Sequence, residues 1–160
     1  MQPGASSSLV QWCSKTFSSA LFVNYEMIKP HDEFGKMMVQ NIQRMGCGIP
    51  GLMAFPSLAA QEQRFLDEGW QAAKAADMLQ VYERFLDAGD VQRAATIEVL
   101  DEVEEWQLIM RHYCLVLAGR GSAATSLVNM LDLSSKPSPY TSPAKPAVST
   151  RMPSHGQAPL

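Results

Sequence analysis

The sequence predicts an α/β fold, in which strands are separated by helices that pack on the faces of a sheet. Three short apolar runs indicate the strands: residues 20–26, 70–76 and 108–118. Between them, apolar residues recur every three or four positions, which is the spacing of amphipathic helices. The hydrophobic fraction of 46% and charged fraction of 18% are those of a globular protein, and 160 residues suffice for one core.

The first helix and the first strand follow each other directly. Four apolar residues between Ser6 and Ser18 share one helix face, so this segment is predicted to be a helix. The next run, Ala20–Glu26, is apolar and turns polar at its end, as a buried parallel strand does when its last residues reach a functional edge. No glycine-rich strand-to-helix turn precedes it. An α/β sheet normally begins with strands that are not found here, so we expect a piece of a larger sheet.

A proline and a capping aspartate mark the start of the second helix. Pro30 interrupts the chain, and Asp32 is a suitable N-cap for a helix over Glu33–Met45. The face predicted to point inward consists of Phe34, Met37, Met38, Asn41 and Ile42. Glycines and a proline within residues 46–51 then end the helix in a loop.

Two further helices begin at capping residues, and a short strand lies between them. Ser57 is predicted to cap a helix over Leu58–Glu68, which ends at a glycine. The strand Trp70–Ala76 follows, and Asp77 then caps a helix over residues 78–86. The predicted inward face of that helix consists of Met78, Leu79, Val81, Tyr82 and Phe85.

One long acidic helix is predicted before the last strand. Leu86–Asp90 is predicted to be a turn and Val91–Gln107 a single amphipathic helix. Its outer face would present Glu98, Asp101, Glu102, Glu104 and Glu105. Such a run usually only makes a helix soluble, although it can also repel or orient an acidic partner. The closing strand is predicted over Leu108–Ala118, with glycines at 119 and 121 ending it.

The last quarter of the chain differs in composition. From Ser134 to Leu160 it consists mainly of Pro, Ser, Ala, Thr and Lys, with six prolines. Such a segment buries too little apolar surface to offset the conformational entropy that ordering would remove. It is therefore predicted to be a disordered tail.

Charge and cysteine content argue against several classes of protein. The net charge of −3 and the scattered basic residues do not favour binding to nucleic acid or to an acidic membrane surface. Three cysteines without a Cys-x-x-Cys pair and three dispersed histidines indicate neither a disulfide scaffold nor a metal site. There is no signal-peptide pattern and no apolar stretch of roughly 20 residues. These features favour a cytoplasmic location.

Polar residues at the end of the first strand are the first candidates for a binding site. Asn24, Tyr25 and Glu26 lie where open α/β sheets place their ligands. Tyr25 could hydrogen-bond a carboxylate, whereas Glu26 would repel one and is expected to pair with a nearby cation. The alternative is structural: Asn24 and Glu26 cap the strand end, and Tyr25 packs at its edge.

The segment Arg111–Cys114 holds the second set of candidates. Arg111 could serve as a forked donor to a carboxylate. A Cys–His pair for nucleophilic catalysis is a poor prospect, because neighbouring residues on a strand point to opposite faces. A structural role is therefore expected for His112 and Cys114.

Six segments together resemble the leucine carboxyl methyltransferase family. They are F-V-N-Y-E (Phe22–Glu26), D-x-F-G-x-x-M-x-x-N (Asp32–Asn41), L-x-x-Q-x-x-R-F (Leu58–Phe65), G-W-x-x-A-x-A-x-D-M (Gly69–Met78), L-D-E-V-E-E-W (Leu100–Trp106) and R-H-Y-C (Arg111–Cys114). Each segment alone is a weak signal, but the ordered set is specific. The resemblance runs from about Met1 to Gly121 and ends there.

The resemblance implies the C-terminal half of a seven-stranded, Rossmann-like methyltransferase fold that uses S-adenosylmethionine. It implies methyl transfer to the C-terminal leucine carboxylate of the protein phosphatase 2A catalytic subunit, whose tail would be the partner of a monomeric enzyme. The family's cofactor residues lie in its N-terminal half, so they are expected upstream of Met1, and no residue here is assigned to catalysis itself. Residues 1–121 would belong to the methyltransferase domain and residues 122–160 to the tail.

The resemblance also predicts the arrangement of the three strands. They would be the fifth, sixth and seventh of the family's sheet, with the seventh, over Met110–Ala118, antiparallel between the other two. Without its neighbours the fifth strand would have an unpaired, apolar edge. Two alternatives to an enzyme remain open: a non-catalytic fragment that binds the phosphatase, and a helical adaptor without strand pairing.

Overall fold

The structure, a computed structural model, describes residues 2–131. The elements, in chain order, are α1 (Pro3–Thr16), β1 (Ala20–Met27), α2 (Glu33–Arg44), α3 (Pro50–Ala54), α4 (Leu58–Asp67), β2 (Ala72–Asp77), α5 (Met78–Phe85), α6 (Ala88–Ile97), α7 (Val103–Met110), β3 (Tyr113–Arg120) and α8 (Ser122–Met130). The α/β class is as predicted. None of the helices described here is long and apolar enough to cross a membrane.

The three strands form one sheet in the order β1-β3-β2. β3 is antiparallel to both neighbours, so β1 and β2 run parallel to each other. This order and these directions agree with the arrangement that the resemblance implied. The structure also excludes a purely helical adaptor, since the strands pair along most of their length.

One face of the sheet is covered by α1 and α4. Phe65 of α4 is fully buried, and its ring lies 5.2 Å from that of Phe22 on β1 and 6.1 Å from that of Trp70. The indole nitrogen of Trp70 donates to the carbonyl of Val10 in α1 over 3.2 Å. These contacts place the main core between the two helices and the central strand, β3.

The opposite face is only partly covered. Helix α8 packs closely on β3, since a Cβ atom at Gly119 would lie 2.7 Å from the carbonyl oxygen of Ala124. On β1, by contrast, the side chains on this face are exposed: Val23 by 57% and Tyr25 by 56%. β1 runs parallel to β2, but it is not the buried strand that its sequence pattern predicts. Within residues 2–131 it lies half exposed at the margin of the sheet, next to β3.

The capping predictions are confirmed. The side chains of Asp32, Ser57 and Asp77 accept hydrogen bonds from backbone N–H groups at the starts of α2, α4 and α5. Asp77 also forms a capping box with Gln80. Gly69 follows α4 with a φ of +89°, a conformation that favours glycine.

The predicted inward faces are partly wrong. In α2, Met37 is 62% exposed and Asn41 is exposed, while Gly35 and Val39 turn inward in their place. The inward face of α2 is therefore rotated about the helix axis relative to the predicted one. It includes Gly35 and Val39 on one side of Phe34, whereas the sequence pattern predicts Met37 and Asn41 on the other side. In α5 only Leu79 is buried, and Phe85, at the end of the helix, is 41% exposed.

The long helix predicted over residues 91–107 is two helices. Asp87 caps α6 by accepting from the N–H groups of Gly89 and Asp90, so the predicted turn already contains the start of a helix. Near the end of α6 the hydroxyl of Thr96 donates to the carbonyl of Arg93 over 2.7 Å, a bond that often bends helices. β-branched residues follow, and residues 98–102 separate the two helices. The five acidic residues of this region are all exposed.

Two boundaries near the end of the described chain also differ. Leu108–Met110 completes α7, so the closing strand starts at Tyr113; a short apolar run alone cannot distinguish a strand from the end of a helix. Residues 122–130, assigned to the tail, form α8, in which Val128 is fully buried. The remaining tail, residues 132–160, lies outside the described residues.

Candidate functional site

The ends of β1 and β2 meet the start of β3 at one end of the sheet, here called its carboxyl end. The strand register places Glu26 opposite Cys114, and Cys114 opposite Asp77. Opposite residues point to the same face of a sheet, so two carboxylates share this end on the side covered by α4. Open α/β sheets bind ligands beyond such strand ends, which makes this end the candidate site.

Glu26 is paired with a cation, as expected from its sequence position. Its Oε1 atom lies 3.7 Å from Nη1 of Arg64 in α4 and accepts a 3.5 Å hydrogen bond from Asn24. Arg64 is only 7% exposed, and its guanidinium lies 4.5 Å from the centre of the Phe55 ring. Arg64 belongs to the L-x-x-Q-x-x-R-F segment, and its sequence context predicts no role for it. Nothing local to it indicates that it would meet a strand 38 residues earlier.

Tyr25 does not join Asn24 and Glu26. Successive side chains alternate along a strand, so Tyr25 points to the opposite face and stacks on the ring of Tyr113, with centres 5.4 Å apart. Burial, together with neighbouring Tyr113 and Cys114, raises the pKa of the Tyr25 phenol above its usual 10.0. Tyr25 is therefore a neutral hydrogen-bond donor at neutral pH, accessible from the other side of the sheet.

Arg111 lies at the carboxyl end of the sheet and is exposed. It forms the C-cap of α7, and its backbone N–H donates to Gln107 over 3.0 Å. Its guanidinium makes no hydrogen bond or ion pair with residues 2–131. The forked donor is therefore free to meet an anionic ligand, which leaves its predicted role open.

The buried His112 forms a pair with the half-exposed Asp32, and this pair is not among the sequence predictions. Nε2 of His112 lies 2.9 Å from both carboxylate oxygens of Asp32, and Nδ1 lies 2.7 Å from the carbonyl oxygen of Leu108. The imidazole is 2% exposed and packs against the Phe34 ring. Both ring nitrogens are occupied, so His112 cannot serve as a general base without breaking this arrangement. Its geometry supports the structural role that was expected.

The Asp32 carboxylate supplies a stabilising charge that can be titrated. Partial burial by itself would raise its pKa. The Gly35 N–H, the hydrogen bond and charge of His112, and the charge of Lys29 together hold the pKa below its usual 3.8. Such a group stabilises the fold above the pKa that it has in the unfolded chain. This contribution is lost as the pH falls through the lower, folded-state pKa.

Replacing Asp32 by asparagine is expected to destabilise the protein in a pH-dependent way. Asparagine retains the capping ability but not the charge. The difference in urea midpoint between the two proteins should be largest above about pH 4 and should vanish as the pH falls further. Glu33→Gln is the control, because the Glu33 side chain is 94% exposed. A pH-independent difference for Asp32→Asn would show that its charge is irrelevant to stability.

A third ion pair completes the carboxyl end of the sheet. Nζ of Lys29 lies 3.8 Å from a carboxylate oxygen of Asp77, which is 9% exposed. Lys29 has a φ of +57°, uncommon for a residue other than glycine, and its N–H donates to the carbonyl of Pro56 over 2.8 Å. Glu26, Asp77 and Asp32 are thus each matched by a basic partner: Arg64, Lys29 and His112.

Cys114 is not a nucleophile. It is fully buried on the central strand, and burial, with the nearby charges of Glu26 and Asp77, raises the pKa of its thiol to about 12. A thiol of this kind remains protonated at neutral pH and is inert. Together with the occupied nitrogens of His112, this excludes a Cys–His dyad in the Arg111–Cys114 segment.

A cavity of about 390 Å³ lies elsewhere, between the C-terminal half of α2 and α3. Its walls mix polar and apolar groups, and the apolar ones include Ile42, Ile49, Leu52 and Met53. None of the candidate residues at the carboxyl end of the sheet lines it. Within residues 2–131 there is no group of three or more His, Cys, Asp or Glu side chains that could hold a metal ion.

Comparison with known proteins gives consistent results. The chain is 45% identical over 118 residues to a leucine carboxyl methyltransferase 1 homolog from Arabidopsis thaliana, covering 74% of this chain and 36% of that protein. It is 39% identical over 127 residues to leucine carboxyl methyltransferase 1 from Bos taurus, covering 79% of this chain and 38% of that protein. A human tRNA wybutosine-synthesizing protein 4 is 37% identical over 147 residues, covering 92% of this chain and 21% of that protein. No family model matches.

The chain spans between about one fifth and two fifths of the length of these relatives. Leucine carboxyl methyltransferases from several organisms match about three quarters of it at 33–45% identity. The resemblance found in the sequence motifs is thereby confirmed. The chain belongs to the leucine carboxyl methyltransferase family, a family of methyltransferase enzymes.

Proposed function

We propose that this chain forms the acceptor-binding part of an enzyme that methylates the C-terminal leucine carboxylate of the protein phosphatase 2A catalytic subunit, with S-adenosylmethionine as methyl donor. The main support is the similarity to several leucine carboxyl methyltransferases over about three quarters of the chain. The expected C-terminal position in a seven-stranded sheet is part of the proposal. The order β1-β3-β2 is compatible with it.

The reaction requires positioning more than acid–base catalysis. A carboxylate is already ionised at neutral pH, so the enzyme has to hold its oxygen in line with the methyl group. Arg111 offers an unoccupied fork of donors, and Tyr25 offers a neutral hydroxyl on the other face of β1. Either could bind the carboxylate of an acceptor peptide.

The described residues do not by themselves fit S-adenosylmethionine. β1 is followed by Ile28, Lys29 and Pro30, and β2 continues directly into α5, so neither strand leads into a glycine-rich turn. β3 does lead through Gly119 and Gly121 into α8, but the carbonyl oxygens of Ala124 and Ser18 lie 2.7 Å and 2.9 Å from where Cβ atoms would stand, so protein atoms already fill this turn. The cavity beside α3 is lined by none of the residues at the strand ends. The methyl donor would accordingly be held by other parts of a full-length enzyme, and the present chain would supply the acceptor side.

A non-catalytic role is the runner-up. The exposed side chains of Val23 and Tyr25, on a strand whose outer margin is unpaired within residues 2–131, could serve a fragment that only binds the phosphatase. In both cases we propose a cytoplasmic monomer whose partner is the phosphatase tail, with no nucleic-acid or membrane partner.

The two roles separate in a replacement experiment. The matching 127-residue segment of the bovine enzyme is exchanged for this chain, and methyl transfer from S-adenosylmethionine to a leucine-terminated phosphatase peptide is measured. We expect activity in the chimera and no saturable S-adenosylmethionine binding by the 160-residue chain alone in calorimetry. A folded but inactive chimera would favour the non-catalytic role.

A tRNA substrate provides the specificity control. One relative is named for tRNA wybutosine synthesis, so the chimera is also assayed with tRNA as acceptor. The net charge of −3 opposes binding of a polyanion, and we expect transfer to the peptide only. Transfer to tRNA alone would redirect the proposal to that substrate.

A further inference from the structure

The carboxyl end of the sheet carries three acid–base pairs, and one of them joins a buried arginine to an accessible acid. The side chain of Arg64 is 6% exposed, whereas that of its partner Glu26 is 38% exposed. In the second pair the cation itself is accessible, since the side chain of Lys29 is 40% exposed. The third pair also joins a buried basic group to an accessible acid, since the side chains of His112 and Asp32 are 3% and 50% exposed, but a histidine, unlike an arginine, is charged only when it is protonated. The Glu26–Arg64 pair thus presents its negative partner to solvent and its positive partner to the core.

The surroundings of Arg64 fix its guanidinium in place. The group lies 4.5 Å from the centre of the Phe55 ring and 5.7 Å from that of the Phe65 ring. It donates through Nη2 to the hydroxyl of Ser6 in α1, and Nη1 is directed at Glu26. Its Nε atom is buried without a hydrogen-bond partner within residues 2–131. A buried cation needs a counter-charge, and Glu26 is the one acid within ion-pair distance of it in this part of the chain.

The charge of Glu26 conflicts with the proposed substrate. A peptide ending in a free carboxylate brings a negative charge to the carboxyl end of the sheet, and an unpaired Glu26 would repel it. Like charges several ångströms apart at a partly buried site interact strongly enough to weaken binding by about tenfold or more. A fixed positive charge 3.7 Å from Glu26 cancels most of that repulsion.

We propose that Arg64 is a positioning and charge-neutralising residue. It holds the Glu26 carboxylate through Oε1 and makes the carboxyl end of the sheet acceptable to a carboxylate-bearing peptide. This inference rests on the proposed function. It assigns to the chain a residue that governs acceptor affinity without touching the acceptor.

The test uses the chimera described above, with Arg64→Met, Glu26→Gln and the double variant. Arg64→Met should raise KM for the leucine-terminated peptide about tenfold, while kcat changes by less than about threefold. Glu26→Gln should leave KM unchanged or lower it. The double variant should return KM to within about threefold of the starting value, because the charge that needed neutralising is gone. A purely structural role for Arg64 would not be rescued by removing Glu26.

Two further variants control for folding and for charge in general. Arg64→Lys keeps the charge and should retain a KM within about threefold, which tests the inference even if Arg64→Met does not fold. Asp90→Asn breaks a comparable acid–arginine pair, 3.5 Å apart on the surface of α6, and should leave KM unchanged. Thermal unfolding of each variant shows which of them are folded.

The outcomes separate this inference from the proposed function. An inactive but folded parent chimera contradicts the proposed function. An active parent whose Arg64→Met and double variants share the same raised KM contradicts only the inference. A large loss of kcat in Glu26→Gln would also overturn it, since Glu26 would then act on the reaction directly.

Discussion

Replacing Phe65 by alanine is expected to lower the free energy of unfolding by about 3–5 kcal/mol, the cost typical of removing a buried phenylalanine. Phe65 is fully buried, and its ring meets Phe22 and Trp70, so the substitution leaves a cavity between α4 and the sheet. That loss is a large part of the stability of an ordinary domain. Urea unfolding followed by tryptophan fluorescence and far-UV circular dichroism measures it.

Leu66 provides the matched control, because it is the next residue of the same helix and is 41% exposed. Leu66→Ala should cost about 1 kcal/mol or less, since a large part of its surface stays in water and its removal leaves no enclosed cavity. Similar losses for Leu66→Ala and Phe65→Ala would mean that α4 does not pack on the sheet through the Phe65 side. The placement of Arg64, and with it the proposed role in neutralising Glu26, would then lose its basis.

Features encoded within a few residues could be predicted from the sequence. Each of the caps Asp32, Ser57 and Asp77 accepts from a backbone N–H three residues ahead, so the signal and the structure lie within one helical turn. β1 begins at Ala20 as predicted and ends one residue later than predicted, at Met27. The central antiparallel position of β3 could be predicted only from the family resemblance, because strand order depends on contacts between distant segments.

The parts that could not be predicted depend on residues far apart in the chain. Asp32 and His112 are separated by 80 residues, and Glu26 and Arg64 by 38. No local pattern distinguishes the buried His112 from any other strand-end histidine. The break between α6 and α7, at residues 98–102, contains neither glycine nor proline, so the sequence offers no strong local signal for it.

The grouping of three neighbouring residues of β1 into one site overlooks a rule that applies to any strand. Asn24, Tyr25 and Glu26 were treated as a single candidate site, although alternation along a strand already places Tyr25 on the opposite face. The structure divides them between a polar group around Arg64 and an aromatic stack on Tyr113. The candidate residues therefore lie on two sides of the sheet.

Gly35→Ala is the second substitution with a large expected effect, because α2 meets the preceding loop at this glycine. A Cβ atom at Gly35 would lie 1.9 Å from the carbonyl oxygen of Lys29 and 2.9 Å from the carbonyl carbons of Lys29 and Pro30. These are backbone atoms, and the Lys29 N–H is bonded to Pro56, so the loop cannot simply move aside. We expect a loss of about 3 kcal/mol or more in urea unfolding, at the upper end of the cost of overpacking.

The same substitution should loosen the Asp32–His112 pair, because the Gly35 N–H donates to Asp32 over 2.7 Å and moves with the start of α2. Faster hydrogen exchange of the Ile28 amide, which donates to the carbonyl of His112, would report this change. Gly51→Ala is the control: Gly51 lies in α3 with nothing within 4 Å of its would-be Cβ atom. There alanine should be neutral or stabilise by up to about 1 kcal/mol, since glycine is the poorer helix former. If Gly35→Ala were as well tolerated as Gly51→Ala, the start of α2 could not pack directly against the backbone of Lys29. The ion pairs at the carboxyl end of the sheet would then need a different arrangement.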